Sequence, residues 1–230
     1  MIVQLTFDLA PPEPPSFANF LPGSNAEAIA ALKQCADGEL AEAVIVLWGG
    51  TGAGKTHLLR ATVAMAQSQG RSAAFVSDPG VLSAQDPERL AAHALVGVDH
   101  VDAADASAQG RLFTLFNALA ARGARLIAAG DAPPALLPLR EDLRTRLSWG
   151  LVFEVRPLAD SEKPAALVAY AHRRGIRLPA DVVDYLLAHG RRDMGALLTT
   201  LAALDRLSLA SKRPITVPLV RDWLQRRMPL

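Results

Sequence analysis

Glycines, a lysine and a threonine are concentrated in one short stretch of this sequence, in an order suited to binding phosphate. The stretch reads Gly49-Gly50-Thr51-Gly52-Ala53-Gly54-Lys55-Thr56, and His57 follows it. It matches the phosphate-binding loop (P-loop) pattern G-x-x-x-x-G-K-[ST] at every fixed position. Glycines let the backbone curl with its N–H groups aimed at anionic oxygens, and the following helix adds its positive end. The motif predicts that residues 49–57 bind nucleotide phosphates, that Lys55 reaches the β- and γ-phosphates, and that Thr56 ligates Mg²⁺.

The flanks of the loop supply the structural context that the motif requires. An apolar, β-branched run precedes it at residues 44–48, and a helix-competent run follows at residues 57–66. A flexible glycine turn is the alternative interpretation of these glycines. Because strand, loop and helix agree, we favour the phosphate site.

A P-loop also needs a carboxylate that orients Mg²⁺, and Asp99 is the candidate. It follows Leu95-Val96-Gly97-Val98, a run typical of a buried strand. An ordinary turn aspartate after a strand is the alternative. The next position, where ATPases often place a second acid, is His100, and Asp102 is shifted along the chain. We therefore expect weak or no intrinsic ATP hydrolysis.

Strands and helices alternate through the first two thirds of the chain. A helix is predicted at about 25–36, with Ser24 and Glu27 at capping-box spacing, and another around the apolar positions of 112–119. Short apolar runs predict five strands, at 44–48, 72–76, 94–98, 125–129 and 151–155. This alternation predicts a three-layer α-β-α domain with a parallel five-stranded sheet.

Beyond Pro157 the periodicity is helical only, which predicts a small all-helical lid. Asp160 or Ser161 could cap its first helix, and Thr216 with Pro218 starts its fourth. The predicted organisation is an extended segment at 1–15, a nucleotide-binding subdomain at 16–156 and the lid at 157–230.

Repeated prolines at 11, 12, 14 and 15 make residues 10–15 an extended spacer that separates residues 1–9 from the body. The pattern alone favours an edge strand or disordered tail for residues 1–9; a peptide ligand for another protein is the alternative.

Composition limits the remaining classes of function. The 230 residues are 50% apolar and 20% charged, with a net charge of +1, which argues against broad salt-driven binding to nucleic acid. Cys35 is the only cysteine, so a reducing compartment is expected. There is no apolar run of the roughly 18 to 20 residues that a membrane span requires, and the first residues lack a basic signal-peptide region. We expect a cytoplasmic, globular protein with no membrane partner.

Several motifs in one order resemble the AAA+ domain of the bacterial replication initiator DnaA. They are Ser16-Phe17-Ala18-Asn19-Phe20, the P-loop with His57-Leu58-Leu59, Asp99, Gly130-Asp131-Ala132-Pro133-Pro134 and Leu143-Arg144-Thr145-Arg146-Leu147-Ser148-Trp149-Gly150. The resemblance runs from about residue 16 to 210, and no residues remain for the initiator's helix-turn-helix domain. The size of the body and its N-terminal Gln-Leu peptide resemble the DnaA-related regulators that couple the sliding clamp to inactivation of the initiator.

The resemblance implies roles for single residues. Asp131 occupies the position of sensor 1, which reads the γ-phosphate, although by sequence alone it is a turn residue. Arg146 matches the arginine finger, which acts in trans on a neighbouring subunit's nucleotide; by sequence alone a surface helix cation is favoured, and Arg144 does not occupy the aligned position. Gly195 stands where the family has its sensor 2 arginine, and whether Arg191 or Arg192 replaces that arginine stays open.

The resemblance also implies partners and cofactors. Gln4, Leu5, Phe7 and Leu9 resemble a sliding-clamp-binding motif, in which the glutamine bonds at a pocket rim and the apolar side chains fill the pocket. The implied partners are the clamp of DNA polymerase III, DnaA, and DNA indirectly through the clamp; homo-oligomerisation stays open. The implied cofactors are ADP or ATP with Mg²⁺, and the missing sensor 2 arginine inclines the choice towards ADP.

Three functions are compatible with these sequence features. The first is a regulator that stimulates hydrolysis of DnaA-bound ATP and so prevents re-initiation. The second is an independent AAA+ ATPase acting as a helicase loader or DnaA-like initiation factor. The third, a small-molecule P-loop kinase, is disfavoured by the helical lid and by the position of Arg146.

Overall fold

The structure, a computed structural model, describes residues 14–83, 87–191 and 193–227. Within these ranges the chain divides into two compact units, Pro15–Pro157 and the helices that follow from Leu158, to which Pro14 is also assigned. The first unit comprises α1 (Ala26–Asp37), β1 (Val44–Trp48), α2 (Lys55–Ser68), β2 (Ala73–Val76), α3 (Pro87–Ala91), β3 (Leu95–Val98), α4 (Ala106–Ala121), β4 (Arg125–Gly130), α5 (Glu141–Leu147) and β5 (Leu151–Glu154). The second comprises α6 (Lys163–Arg173), α7 (Ala180–His189), α8 (Met194–Ser211) and α9 (Val217–Arg227).

All five strands form one parallel sheet in the order β2-β3-β4-β1-β5. The predicted sheet is therefore confirmed, with strand ends that agree to within one residue. Strands β1, β3 and β4 are almost entirely buried, as expected for parallel strands covered on both faces. Because β4 lies between β3 and β1, the carboxyl ends of these three strands meet at one edge of the sheet.

Alternate residues of each strand face two separate cores, which confirms the three layers. On β1, Ile45 and Leu47 pack in one cluster with α1 and α2, whereas Val44 and Val46 pack in another with α3, α4 and α5. This alternation follows from the period of two along a strand. The sequence does not predict the short helix α3, because five residues are too few to show a helical period.

Two predicted helix caps are wrong. Helix α1 begins at Ala26 with Asn25 at the N-cap, so Ser24 and Glu27 form no capping box. The Asn25 amide does not cap the helix either: it exchanges two hydrogen bonds with the backbone of Arg156, at 2.9 and 2.8 Å. Helix α6 has Glu162 at the N-cap, and Asp160 instead accepts a hydrogen bond from Lys163 Nζ at 2.5 Å.

The second unit is helical throughout, as predicted, with its own apolar core. Its four helices contribute Leu167, Val183, Leu186, Leu201 and Val220 to a single buried cluster. Asp193 caps α8 by accepting a hydrogen bond from the Ala196 N–H at 2.8 Å. None of the helices in the described residues is both long and apolar enough to cross a membrane.

Candidate nucleotide-binding site

The P-loop connects β1 to α2 and depends on glycine at three positions. Gly49, Gly52 and Gly54 have φ angles of 150°, 79° and 104°, which other residues adopt only with strain. A side chain at Gly49 would also collide with the Val155 carbonyl oxygen, and one at Gly54 with the ring of Phe20. The loop thus keeps its backbone open and ends at the N-terminus of α2, as a phosphate site requires.

Lys55 lies across this loop with all three of its ammonium protons engaged. Its Nζ donates to the carbonyl oxygens of Gly49 at 2.6 Å and Gly50 at 3.2 Å, and to Asp131 Oδ1 at 2.9 Å. The lysine side chain is 9% exposed and the aspartate 58%. The predicted sensor 1 residue is therefore in direct contact with the P-loop lysine. The sheet order accounts for this contact, because Trp48 and Gly130 are paired neighbours at the ends of β1 and β4.

Asp99 lies at the end of β3, buried to 1% exposure, and only one of its carboxylate oxygens is satisfied. Oδ1 accepts a hydrogen bond from the His100 N–H at 3.0 Å, whereas Oδ2 has no hydrogen-bond partner. His100 Nδ1 is 3.6 Å from Oδ2, which exceeds hydrogen-bond distance. A buried carboxylate oxygen of this kind is costly unless a cation or a bound water satisfies it.

This orphaned oxygen fits a role for Asp99 in holding Mg²⁺ together with Thr56, the first hydroxyl of α2. The described residues contain no group of three or more His, Cys, Asp or Glu that could hold a metal. Mg²⁺ characteristically takes one or two protein ligands and completes its shell with phosphate oxygens and water. The donor set therefore fits a metal that binds with a nucleotide and does not fit an all-protein metal cage.

Asp102 contributes a contact that the sequence analysis missed. Its Oδ1 accepts a hydrogen bond from the backbone N–H of Asp131 at 3.2 Å. Asp102 lies in the 3-10 turn Val101–Ala103 after β3, so this bond joins the ends of β3 and β4. Asp102, which is shifted along the chain from the position of a second acid, thus positions the backbone of Asp131. In the sequence, the only indication that Asp102 belongs to the site is its short distance along the chain from Asp99.

His57 ties the segment before α1 to the P-loop. Its Nε2 lies 2.9 Å from the Ser16 carbonyl oxygen, so that nitrogen carries the proton and donates. Its ring lies 5.4 Å from that of Phe20, which also covers Gly54. Burial lowers the pKa of His57 from the ordinary value of 6.5, so the imidazole is neutral near pH 7.

Arg146 lies on α5 amid aromatic rings. Its Cζ is over the rings of Phe113, Phe116 and Trp149, at 4.9, 5.6 and 5.3 Å from their centroids. With Phe113, Trp149 and Arg140 it lines an open surface pocket. The neighbouring Arg144 donates from Nη1 to the Ala135 carbonyl oxygen at 3.5 Å. The sequence predicts a helix around the apolar positions of 112–119 but assigns its aromatic side chains no role, and their contact with Arg146 is visible only in the tertiary structure.

The remaining predicted positions lie outside the described residues or in the helical unit. Gln4, Leu5, Phe7 and Leu9 lie outside the described residues, as does Arg192. Gly195 is exposed in the first turn of α8, and Arg191 Nε lies 3.3 Å from Asp193 Oδ2 in the same unit.

Comparison with known proteins agrees with both units. Residues 160–224 match the family model described as Hda, lid domain. The structure of domain III of the replication initiation protein DnaA from Thermotoga maritima matches with a TM-score of 0.78 and 19% identity, covering 95% of this chain and 98% of that one.

Other solved structures share the same fold. AMPPCP-bound DnaA from Aquifex aeolicus matches with a TM-score of 0.70 and 22% identity, covering 83% of this chain and 64% of that one. The Holliday junction branch migration motor RuvB of Thermotoga maritima matches with a TM-score of 0.66 and 16% identity, covering 93% of this chain and 72% of that one. The chain therefore shares the AAA+ fold of these structures, and its residues 160–224 match the Hda lid-domain model.

Proposed function

We propose that this chain, a DnaA-related AAA+ protein with an Hda-type lid, regulates bacterial replication initiation by stimulating hydrolysis of the ATP bound to DnaA. The match of residues 160–224 to the Hda lid domain carries the proposal, because it distinguishes this chain from other proteins that share the DnaA fold. In this proposal the chain binds the DNA-loaded sliding clamp through Gln4, Leu5, Phe7 and Leu9. It thereby acts where replication is under way.

The chain's own nucleotide has a structural role in this proposal. Residues 49–57 bind the phosphates of ADP or ATP, Lys55 exchanges its contact with Asp131 for phosphate oxygens, and Thr56 and Asp99 hold Mg²⁺. We propose ADP for the working state, because Gly195 supplies no guanidinium at the sensor 2 position. No second acid follows Asp99, so intrinsic turnover is slow.

Arg146 acts in trans in this proposal. A guanidinium in a neighbour's nucleotide site neutralises the charge that develops on the transferred phosphoryl group. Its local surroundings support this role, since within the described residues no hydrogen bond or ion pair engages its N–H groups. Arg140, one turn and a half earlier, is by contrast paired with Asp142 at 2.6 Å.

The test is the rate of DnaA ATP hydrolysis in the presence of DNA-loaded clamp and this chain. Arg146→Ala should lower the stimulation by at least about 100-fold, since fingers supplied in trans are worth roughly 10³ to 10⁵ in rate in well-studied systems. Arg146→Lys should restore little, because lysine lacks the planar fork. Arg144→Ala, on the same helix, is the matched control and should stimulate normally.

Two results would contradict the proposal. If Arg146→Ala stimulates within about twofold of the wild type, a change of only about 0.4 kcal/mol, Arg146 is a surface cation. If the purified chain hydrolyses ATP rapidly without DnaA, the independent ATPase is the better interpretation, in keeping with its structural likeness to the RuvB motor.

A further inference from the structure

The guanidinium of Arg146 is held by ring faces. Phe113 and Phe116 belong to α4, whereas Trp149 follows α5 two residues after its end. Aromatic faces attract the guanidinium and limit the orientations of its plane, and they do so without occupying its N–H donors. A carboxylate partner would occupy those donors, as Asp142 does for Arg140 and Glu154 for Arg156. The surroundings of Arg146 thus orient the group and leave its hydrogen-bonding edge available.

Trp149 differs from the two phenylalanines in that packing does not explain it. The residue is 67% exposed, whereas Phe116 is 4% exposed. The backbone of Trp149 is fixed independently of the indole: its N–H donates to the Arg146 carbonyl oxygen at 3.2 Å. The next residue, Gly150, packs so tightly on the Val44 carbonyl oxygen that a side chain there would collide. An exposed indole on a fixed backbone, with its ring against the Arg146 guanidinium, indicates that the indole serves this contact.

We propose that Trp149 is a positioning residue for Arg146, holding the guanidinium in the orientation that reaches a phosphoryl group in the neighbouring protein's nucleotide site. This inference rests on the proposed function. In it, the exposed indole limits the rotation of the Arg146 side chain before the partner arrives. Less conformational entropy is then lost when the guanidinium reaches the phosphoryl group.

The experiment measures stimulation of DnaA ATP hydrolysis as a function of the concentration of this chain, with DNA-loaded clamp present. For Trp149→Leu the maximal stimulation should fall by about two- to fivefold, the size of one cation–π contact at an exposed site. The concentration for half-maximal stimulation should not change, because positioning acts on the rate and not on docking. Trp149→Phe should recover the maximum to within about twofold, since it restores a ring face.

Three controls accompany this measurement. Leu209→Ala removes a comparably exposed apolar side chain, at 68% exposure in α8, and should stimulate normally. In the Arg146→Ala background, Trp149→Leu should have no further effect, because the residue it positions is gone. The melting temperature of Trp149→Leu should stay near that of the wild type.

Each other result overturns the inference in a recognisable way. A raised half-maximal concentration with an unchanged maximum would make Trp149 a docking contact. Equal losses for the Phe and Leu variants would exclude the ring face as the cause. If Arg146→Ala reduces stimulation but Trp149→Leu does not, only this inference fails; if Arg146→Ala has no effect, the proposed function fails with it.

Discussion

Asp99 has the least satisfied side chain in the candidate site. Its Oδ2 is buried without a hydrogen-bond partner, next to the end of β3 and far below the exposure of an ordinary turn aspartate. Leaving such an atom unpaired costs about 1 to 3 kcal/mol. Mg²⁺, or a water bound to it, would satisfy Oδ2 only when a nucleotide is present.

Asp99→Asn should therefore separate stability from metal binding. Removing the buried charge should leave the melting temperature of the nucleotide-free protein equal or raise it, whereas the extra stabilisation that Mg²⁺ adds to bound ADP or ATP should disappear. Thermal melts with nucleotide, in Mg²⁺ and in EDTA, measure both. Asp78→Asn, at an exposed turn after β2, is the matched control. If Asp99→Asn leaves the Mg²⁺-dependent stabilisation unchanged, Asp99 is a structural turn residue and not a metal ligand.

His57 makes the stability of the sheet unit depend on pH. Burial lowers its pKa in the folded protein below the 6.5 of an exposed histidine. As the pH falls below about 6.5, the unfolded chain therefore binds a proton that the folded chain does not, and the free energy of unfolding decreases. Above that pH, His57 is neutral in both the folded and the unfolded chain, so it no longer makes the free energy of unfolding depend on pH.

His57→Gln should accordingly lose less stability than the wild type between pH 7.5 and pH 5.5, because glutamine does not titrate. Urea unfolding at the two pH values measures the difference. His172→Gln, on the exposed surface of α6, should keep the wild-type dependence. Identical pH dependence in all three proteins would show that the imidazole of His57 does not stay neutral.

At the scale of elements, the site depends on how closely the strands and their loops approach. The carboxyl ends of β1, β3 and β4 bring the P-loop, Asp99 and Asp131 to one edge. Gly150, between α5 and β5, passes against the Val44 carbonyl oxygen at the start of β1. It thereby links the position of α5, which carries Arg146, to β1.

Gly150→Ala should destabilise the protein by about 2 kcal/mol or more, because the added methyl group meets backbone that cannot rotate away. Gly195→Ala is the contrasting variant. Among the described residues, a side chain there meets Asp193 Oδ1 alone, at 3.7 Å, and it should raise stability by up to about 1 kcal/mol through helix propensity. Chemical denaturation followed by circular dichroism tests both. A neutral Gly150→Ala would mean that β1 and the α5–β5 connection can move apart.

At the scale of the whole molecule, each unit has its own buried apolar core. Our proposal assigns residues 1–9 to the clamp and gives them no part in the body. Deleting them should leave the melting temperature within about 1 °C of the wild type, because a free terminal segment contributes little to a core. The deletion should nevertheless abolish binding to immobilised clamp.

Substitutions within the peptide refine that test. Gln4→Ala and Leu5→Ala should each weaken clamp binding, whereas Thr6→Ala, between the predicted anchors, should change it little. Retained clamp affinity after the deletion would place the contact elsewhere in the chain. A marked fall in melting temperature would support an edge strand instead of a peptide ligand.

The sequence by itself determined the features that arise from contiguous residues. The P-loop is one such feature, because its function depends on eight neighbours and on the strand and helix beside them. The five strands are another, since buried parallel strands are continuous apolar runs. The lid helices follow from a period of 3.6 residues that needs no knowledge of their packing.

Only the tertiary structure decided which distant groups meet. Lys55 and Asp131 are 76 positions apart, and Asn25 and Arg156 are 131 apart, yet each pair is joined by hydrogen bonds. The strand order places β4 beside β1, and no single segment encodes that order. The same reason explains the failed cap of α1: the Asn25 amide bonds to the backbone after β5, a partner that local sequence cannot reveal. The rings around Arg146 are likewise assembled from α4 and the end of α5, so their role depends on packing between elements.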